Sequence, residues 1–552
     1  MIGLNKIGLN QVQLNRLRLN APFPTCRKMA GGGGSGDGFP VLPGDVTRWH
    51  FGGLTNEMMA AMDDPRIEDA DGKGRFLSFK NFAWKGMSGV GGYGDENYQT
   101  FYKFTLDDYV FIASPPGVEH MNFTFRVTGL QPGNKLTLAF FGTTNTVYGT
   151  WDKDGIYTVD ADIVEAGKPT YFYNGYGATR GEFTIEILPL YPGALVFDGV
   201  DDYGVCNNFP ILTKEKGYTV VALRQWIEEK NDSTALVSNC KNWGQNGAFL
   251  FEYNNLRINF LNVAISFGYV SSVDRGKSPF SYQTSKLYNG KNIEPGSLIG
   301  SNELIVGKGN KDFPTFSKAA IWELVFLDHD ATEEELTKIK DYFVKTYPWL
   351  FPDQAWTVVG KTNEDEDRAT IANITGNGND LVLSNFGFIE GSGYNKEGEY
   401  AGYLVTDGVD DEVRSAAFTL NEDWTIVGNW EFITNENKNA GLTKVYSFYL
   451  YNRDYGIFVY KYINAGQGFS VEDVKSLKAI CSDGRIYLND WQEIRNNIEQ
   501  EATISKGVMA IGYFNRDFTK MAFKNLGIYN NQLLSKDECI KAYSYLQTLK
   551  AK

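Results

Sequence analysis

The chain has 552 residues, a formal net charge of −14 at pH 7, 14% aromatic residues and 59 glycines. This length exceeds what one hydrophobic core serves and predicts three or four domains, and the aromatic, glycine-rich composition favours turn-rich β domains over helical bundles. The negative charge argues against nucleic acid as a partner, and the lack of an apolar run of about 20 residues argues against membrane insertion.

The N-terminal segment, residues 1–29, contains a five-residue unit, apolar-x-Leu-Asn-x, written four times in "MIGLNKIGLNQVQLNRLRLN". Leucines at this spacing do not share one face of a helix or of a flat strand. We therefore expect the segment to become ordered only against a partner or against copies of itself. It lacks the continuous apolar core of a secretory signal peptide. We interpret it as a basic assembly anchor rather than an organelle transit peptide. The predicted anchor residues are Leu4, Leu9, Leu14, Leu19, Arg16 and Arg18.

Residues 30–44 contain "AGGGGSGDGFP" and predict a flexible linker after the anchor. Residues 45–190 then show runs of alternating apolar and polar residues, such as "MNFTFRVTGL" and "NKLTLAFFGT", which indicate half-buried strands. We predict one β-sandwich or jelly roll over residues 45–190. Within it, "SGVGGYGDENYQ" (Ser88–Gln99) is too rich in glycine for a regular element and predicts a loop.

From Tyr191 onward the sequence contains two similar copies of one pattern. "YPGALVFDGVDDY" matches "YAGYLVTDGVDDE", and "FSKAAIWELVFLDHDATEEELTKIKDYF" parallels "FTKMAFKNLGIYNNQLLSKDECIKAYSYL". Each copy ends in a predicted amphipathic helix that opens on a capping box, Thr332 with Glu335 in the first and Ser535 with Glu538 in the second. The order and chemistry of these matches predict a tandem repeat of one domain.

The repeated residues also resemble a known family. "FDGVDDY" near a domain start, and a late strand "AIWELVF" followed by "TEEEL", are similar to laminin G-like modules, which belong to the concanavalin A-like jelly-roll sandwiches. The resemblance covers about 350 residues and implies two tandem sandwiches, residues 191–350 and 351–552. The predicted fold class is therefore mainly β and multidomain, with β-sandwich domains behind a short basic anchor.

The repeated acidic turns have two interpretations. Aspartate and glycine favour tight turns with side-chain bonds to the backbone, and clustered carboxylates at a turn also suit Ca²⁺, which some laminin G-like modules hold at the sandwich rim. Calcium is the single candidate cofactor. The six candidate ligands are Asp198, Asp201, Asp202, Asp407, Asp410 and Asp411.

Catalytic and redox motifs are missing from the sequence. Three histidines, far apart, argue against a histidine triad, and five scattered cysteines suit reduced thiols better than a disulfide framework. A sandwich-type glucanase carries a Glu-x-Asp-x-x-Glu strand, which neither "EFTIEI" nor "EGEY" matches. The sequence therefore predicts that the chain is not an enzyme.

Sugar binding requires less, because an exposed aromatic ring stacks on a pyranose while amides bond its hydroxyls. The loops "NCKNWGQNG" and "YLYNRDYG" have this composition, although packing at the edge of a sandwich explains such residues as well. The predicted glycan-binding residues are Trp243, Asn239, Tyr455 and Asn452.

An anchor, a glycine linker and tandem sandwiches together resemble the head or tail fibres of tailed phages, including crAss-like phages. This resemblance implies a virion protein that is assembled in the host cytoplasm as a homotrimer. Its N-terminus would bind capsid or tail proteins, and its sandwiches would contact a host-surface polysaccharide. The alternatives are a secreted or surface-bound bacterial carbohydrate-binding protein, located outside the cell, and a virion decoration without a ligand.

Overall fold

The computed structural model describes most of the chain after residue 37. The described residues are 38–93, 101–104, 109–113, 120–140, 146–162, 169–174, 182–213, 215–228, 234–239, 249–253, 278–292, 300–309, 315–433, 449–451, 477–488, 490–495, 508–511, 513–514, 517–518 and 520–551. Strands dominate these residues and pair in antiparallel sheets. The predicted fold class, mainly β with several sandwiches, is confirmed.

The described chain begins with four strands and a short helix, followed by eight further strands. The first group contains β1 (Val46–His50), α1 (Asn56–Ala60), β2 (Arg66–Glu68), β3 (Phe76–Lys80) and β4 (Gly89–Val90). The second group contains β5 (Phe101–Phe104), β6 (Tyr109–Ala113), β7 (His120–Thr128), β8 (Leu136–Phe140), β9 (Thr146–Trp151), β10 (Gly155–Asp162), β11 (Pro169–Asn174) and β12 (Phe183–Ile187).

The next part of the chain contains ten strands, a long helix and one turn of 3₁₀ helix. They are β13 (Leu195–Asp198), β14 (Tyr203–Cys206), β15 (Thr219–Glu228), β16 (Val237–Ser238), β17 (Leu250–Phe251), β18 (Phe280–Thr284), β19 (Leu287–Tyr288), β20 (Lys291–Asn292), β21 (Leu304–Val306), β22 (Lys318–Leu327), α2 (Glu333–Thr346) and the 3₁₀ turn Pro348–Leu350.

The last part contains fifteen described strands and a terminal helix. They are β23 (Gln354–Thr357), β24 (Thr370–Ile371), β25 (Leu381–Ser384), β26 (Gly393–Tyr394), β27 (Leu404–Val405), β28 (Glu412–Ser415), β29 (Trp424–Phe432), β30 (Tyr449–Tyr451), β31 (Leu477–Cys481), β32 (Arg485–Leu488), β33 (Glu493–Arg495), β34 (Val508–Ile511), β35 (Tyr513–Phe514), β36 (Asp517–Phe518), β37 (Met521–Asn530) and α3 (Lys536–Gln547).

Strands β1–β4 belong to the first repeated sandwich, which changes the predicted domain boundary. β1 pairs with β22, so that Val46 lies opposite Leu327, and β3 pairs with β14, so that Lys80 lies opposite Tyr203. The back sheet of this sandwich has the order β20-β19-β18-β15-β22-β13-β4, with β1 also on β22, and the front sheet has the order β17-β16-β21-β14-β3-β2. The single sandwich predicted over residues 45–190 is thus replaced by two units.

Strands β5–β12 form a separate sandwich inserted between β4 and β13. Its two sheets have the orders β10-β7-β12-β5 and β6-β11-β8-β9. Its core is apolar and includes Phe125, Leu138, Phe172 and Ile185, each at most 1% exposed. The second repeat has only residues 395–403 at this point of the chain, so the insertion is a feature of the first repeat.

Over the described residues the second sandwich repeats the strand order of the first, although its front sheet has five strands where the first has six. Its back sheet has the order β26-β27-β37-β29-β31-β32-β33, with β23 also on β37, and its front sheet has the order β24-β25-β28-β34-β30. β23 therefore corresponds to β1, β25 to β3, β28 to β14 and β37 to β22. The repeat extends well before Tyr191, because its first strands precede the inserted sandwich.

The long strand β22 is buried on both sides because a helix covers the back sheet. Alternate residues such as Ile321 face the interior between the sheets, and those between them, such as Trp322, face α2. Both predicted capping boxes are confirmed: Thr332 and Glu335 bond each other's backbone at the start of α2, as Ser535 and Glu538 do at α3.

The two sandwiches pack through their helix-covered back sheets. One apolar cluster includes residues of both, and Gln225 of the first sandwich donates to Thr548 Oγ1 of the second at 2.8 Å. Tyr529 OH donates to the Trp349 carbonyl at 2.9 Å at the junction of the repeats. The front sheets therefore face away from this contact. No described helix is long and apolar enough to cross a membrane.

Candidate functional site

The first acidic turn follows β13 and is held by its own carboxylates. Asp198 Oδ1 accepts a hydrogen bond from the Val200 N–H at 2.7 Å, the bond that stabilises a tight aspartate turn. Asp202 is fully buried and uses both oxygens, because Oδ2 accepts from the Asp198 N–H at 3.1 Å and Oδ1 accepts from the Ser88 hydroxyl at 2.9 Å. The turn therefore joins β13 to the segment that precedes β4.

The second acidic turn has the same bonds. The Val409 N–H donates to Asp407 Oδ1 at 2.7 Å, and the Asp407 N–H donates to Asp411 Oδ2 at 2.7 Å. The Ser392 hydroxyl donates to Asp411 Oδ1 at 3.0 Å. Both turns thus use their aspartates as internal hydrogen-bond acceptors. This geometry matches the first of the two interpretations of the acidic turns, in which the aspartates stabilise a tight turn.

The serine partners belong to a second repeated motif that the sequence analysis missed. "NFAWKGMSG" (Asn81–Gly89) and "NFGFIEGSG" (Asn385–Gly393) share the spacing Asn-Phe-x-aromatic-x-x-x-Ser-Gly. The two asparagines have φ of 67° and 68°, and their amides donate to the carbonyls of Asp201 at 3.1 Å and Asp410 at 2.9 Å. The start of the segment predicted as a loop (Ser88–Gln99) is therefore a structured partner of the acidic turn and contains β4.

Burial dominates the electrostatics of both turns. Burial raises the pKa of Asp202 to about 8, and repulsion from Asp198 adds to this shift. Burial also raises the pKa of Asp411, but hydrogen bonds from the Asp407 N–H and Ser392 offset it and leave a pKa of about 6. In each turn the three carboxylates bring oxygens within 4.8 Å of one another, so each turn could hold a metal ion. Calcium as that ion stays a prediction.

The residues predicted to bind glycans and to form the anchor are mostly outside the described part of the chain. Trp243, Tyr455 and Asn452 lie outside the described residues, as do the anchor residues Leu4, Leu9, Leu14, Leu19, Arg16 and Arg18. Asn239 is described, fully buried and directed into the first sandwich. Its amide donates to the carbonyls of Ser301 at 2.8 Å and Glu303 at 2.9 Å. Asn239 is therefore a structural residue, and its predicted contact with a glycan is wrong.

A groove opens on the outer face of the first front sheet, and we call it the front-sheet groove. Residues alternate along each strand, so Leu77 and Phe79 enter the core while Ser78 and Lys80 point outward beside Tyr203. The cavity measures about 650 Å³, a volume in the usual range of small-ligand sites. Its lining residues are Asp64, Arg66, Ser78, Lys80, Tyr203, Val205, Asn207, Ile305 and Lys308.

Charged side chains surround one aromatic ring in the front-sheet groove. The Asp64 carboxylate lies 3.0 Å from Lys80 Nζ and 3.5 Å from Arg66 Nη1. On the other side, Lys308 Nζ lies 5.3 Å from the centre of the Tyr203 ring, a cation–π distance. The groove therefore offers an aromatic surface, hydrogen-bond donors and a cationic excess. No local pattern in the sequence indicates this groove, because its described residues come from four separate segments.

The second front sheet carries different residues at the same positions. Strand pairing places Ser384 opposite Glu412 where the first sandwich has Lys80 opposite Tyr203. Glu412 also forms an ion pair with Arg414 on its own strand. The second face thus has neither the aromatic ring nor the excess of cations at these positions, although the strands beneath it are the same.

Comparisons with known proteins give only a general likeness. No protein-family model matches the sequence, and no curated protein matches it. The chain is similar to Trypanosoma rangeli sialidase in complex with sialic acid, at 10% identity and a TM-score of 0.25 over 72% of this chain and 69% of that one. It is also similar to the binding domain of botulinum neurotoxin serotype G, at 8% identity and a TM-score of 0.15 over 84% and 95%. The laminin G-like and phage resemblances stay predictions.

The prediction that the chain is not an enzyme is wrong, because it excluded enzymatic activity altogether. Further similar structures are also Trypanosoma rangeli sialidases, with TM-scores of 0.24 and 0.23, and these proteins are enzymes. The prediction relied on one local glucanase pattern, and carboxylates that meet from distant parts of a chain leave no such pattern. Enzymatic activity of this chain is therefore no longer excluded, and a likeness this weak assigns no particular activity to it.

Proposed function

We propose that the chain is a glycan-binding protein and that the front-sheet groove of its first sandwich holds the saccharide. The observation that carries this proposal is the position of Tyr203, a half-buried ring on an exposed sheet face within a cavity of about 650 Å³. A pyranose presents apolar C–H faces and polar edges, which match an aromatic ring surrounded by hydrogen-bond donors. Lys80, Asn207 and Ser78 line the same cavity and supply such groups.

The outward position of the front sheet supports this role. The back sheets and helices are occupied by the contact between the two sandwiches, so within the described part of these two repeats the front sheets are the broad faces that a large external ligand can reach. A groove that is partly open to solvent suits one segment of a long polysaccharide better than it suits a small metabolite, which proteins usually enclose.

The test replaces the ring and compares the two sandwiches. Binding of the full chain to a panel of neutral and acidic polysaccharides is measured by biolayer interferometry, with Tyr203→Ala beside wild type and Glu412→Ala as the matched control. Loss of a central aromatic contact costs about 2 kcal/mol or more, so we expect Tyr203→Ala to weaken binding about 30-fold. Glu412→Ala keeps the wild-type affinity. A Tyr203→Ala variant that binds as wild type does contradicts the proposed site.

The proposed setting is the virion of a tailed phage. In this proposal residues 1–29 bind capsid or tail proteins, three chains form a homotrimer, and the sandwiches reach a polysaccharide on the host surface. The described cysteines Cys206, Cys481 and Cys539 are free and buried, which suits assembly in a reducing cytoplasm. The alternative of a secreted or surface-bound bacterial carbohydrate-binding protein uses the same groove.

Mass in solution distinguishes these settings. A trimer for the full chain and a monomer for a chain that starts at Val41 support an oligomerising anchor and the virion proposal. Monomers in both cases contradict it and favour the bacterial alternative. The measurement is light scattering after size-exclusion chromatography, and it is independent of whether the front-sheet groove binds a glycan.

A further inference from the structure

The charge of the front-sheet groove differs in sign from the charge of the whole chain. Among the described residues that line it, three side chains are cationic, Arg66, Lys80 and Lys308, and one is acidic, Asp64. The full sequence has 67 acidic and 53 basic side chains, a net charge of −14. A concave surface lined mainly by one sign of charge concentrates ions of the opposite sign. The groove is therefore an anion-attracting surface on an acidic protein.

Asp64 marks a position in the front-sheet groove where a carboxylate fits. Its oxygens lie 3.0 Å from Lys80 Nζ and 3.5 Å from Arg66 Nη1, so one carboxylate already bridges two cations there. The side chains of Asp64, Arg66 and Lys80 are 50%, 53% and 43% exposed. Ion pairs with this exposure are weak, and an external carboxylate or sulfate can exchange with Asp64.

The aromatic ring lies between the cations. Lys80 and Tyr203 are direct partners across β3 and β14, and Lys308 Nζ lies 5.3 Å from the centre of the Tyr203 ring and 4.6 Å from that of Phe316. A sugar packed on Tyr203 therefore has a cationic group on either side within reach of its substituents. This arrangement suits a saccharide whose ring carries an acidic group, or whose neighbouring ring does.

The second sandwich shows that the fold does not require this charge. At the positions of Lys80 and Arg66 it has Ser384 and Thr370. Its Arg414 is paired with Glu412 on the same strand. The cations of the front-sheet groove are therefore an addition to a shared scaffold.

We infer that the front-sheet groove takes an acidic polysaccharide, an inference that depends on the glycan-binding function proposed above. Lys80 and Arg66 bind a carboxylate or sulfate of the ligand in place of Asp64, Lys308 attracts a second acidic group, and the sugar ring packs on Tyr203. Carboxylated and sulfated glycans share this chemistry, and the experiment separates them.

The experiment uses the full chain and polysaccharides that differ only in charge. Polygalacturonate is compared with its methyl-esterified form, and dextran sulfate is compared with dextran, at low and high salt. We expect at least one acidic polymer to bind about tenfold or more tightly than its neutral counterpart, with the preference lost at high salt. Binding by polygalacturonate alone identifies carboxylate as the recognised group, and binding by dextran sulfate alone identifies sulfate.

Three charge-removing variants locate the effect. We expect Lys80→Gln and Lys308→Gln each to weaken binding of the acidic polymer about tenfold and so to remove its preference over the neutral counterpart. We expect Asp64→Asn to strengthen binding of the acidic polymer about threefold by removing the competing carboxylate. Arg414→Gln is the matched control on the second front sheet and leaves binding unchanged.

Each other outcome overturns one of the two proposals. Equal binding of acidic and neutral polymers, or equal weakening by Lys80→Gln and Arg414→Gln, overturns the preference for acidic glycans and leaves the glycan-binding function standing. No binding of any polymer by the folded wild-type chain overturns the glycan-binding function itself.

Discussion

On the first front sheet Lys80 stands opposite Tyr203, and on the second the equivalent pair is Ser384 opposite Glu412. A few residues away, the acidic turns of the two sandwiches make the same hydrogen bonds, from Ser88 to Asp202 and from Ser392 to Asp411. The two repeats therefore agree where the chain must turn and differ where the surface meets its surroundings.

The back sheets show a second difference between the repeats. In the first sandwich the buried Glu323 carboxylate accepts hydrogen bonds from Tyr342 at 3.1 Å and Tyr347 at 2.9 Å, and it lies 3.3 Å from Arg48 Nη1 and 2.9 Å from His50 Nδ1. Burial and the Glu323 charge raise the pKa of Tyr347 well above its ordinary value, so this phenol stays a donor.

The second sandwich has neutral residues at the corresponding positions. Strand pairing places Asn525 where the first sandwich has Glu323, and Ala355 where it has Arg48. Asn525 Oδ1 accepts from Gln547 at 3.4 Å. A neutral hydrogen bond therefore links sheet and helix in the second sandwich, where the first has a charged network. The shared fold does not require the charged network.

The largest expected effect comes from breaking that charged network. We expect Glu323→Ala to lower the free energy of unfolding by about 3–5 kcal/mol, because it leaves the Arg48 guanidinium buried without its counter-charge. Asn525→Ala is the matched change in the second sandwich, and we expect a loss of about 1 kcal/mol. Urea unfolding of the full chain, followed by tryptophan fluorescence, measures both. Equal losses in the two variants would show that Glu323 contributes no more than a neutral hydrogen bond.

A second comparison uses pH. Both Asp202 and Asp411 have a pKa above the usual value of about 3.9, so the folded state binds their protons more tightly than the unfolded chain does. The stabilisation from each is complete below about pH 4, and it is lost as the pH rises to about 6 for Asp411 and about 8 for Asp202. One such group changes the unfolding free energy by up to about 1.4 kcal/mol per pH unit.

The two turns therefore differ in pH dependence between pH 6 and pH 8. In this range the titration of Asp202 still changes the free energy of unfolding, and that of Asp411 no longer does. We expect Asp202→Asn to remove the fall in stability across this window, and Asp411→Asn to keep it while flattening the curve below pH 6. Unfolding midpoints at single pH steps from 5 to 9 measure the slopes. An unchanged slope between pH 6 and pH 8 in Asp202→Asn contradicts the assignment.

Local patterns in the sequence were sufficient for the elements but insufficient for their pairing. The capping boxes at Thr332 and Ser535 need only neighbouring residues, so the helix starts could be predicted. The pairing of Val46 with Leu327 joins residues on either side of a whole inserted sandwich, and strand alternation alone does not specify such a partner. The domain boundaries failed for this reason.

The front-sheet groove could not be predicted from the sequence for the same reason. Lys80 and Tyr203 become neighbours only when β3 pairs with β14 across the insertion. The acidic turns, in contrast, were visible because the whole motif is local. Their role became clear only from Ser88 and Ser392, which lie outside the matched stretches and donate to the buried aspartates.

The smallest expected effect is that of calcium on the acidic turns. Both oxygens of Asp202 accept hydrogen bonds from Ser88 and Asp198, so a calcium ion that needs six to eight oxygen ligands would have to displace internal donors. We expect 1 mM calcium at pH 7.5 to change the unfolding free energy by less than about 1 kcal/mol. A larger rise in stability, absent from Asp201→Asn, would contradict this and establish the predicted calcium site. Asp201 is exposed, so this variant leaves the internal bonds of the turn in place.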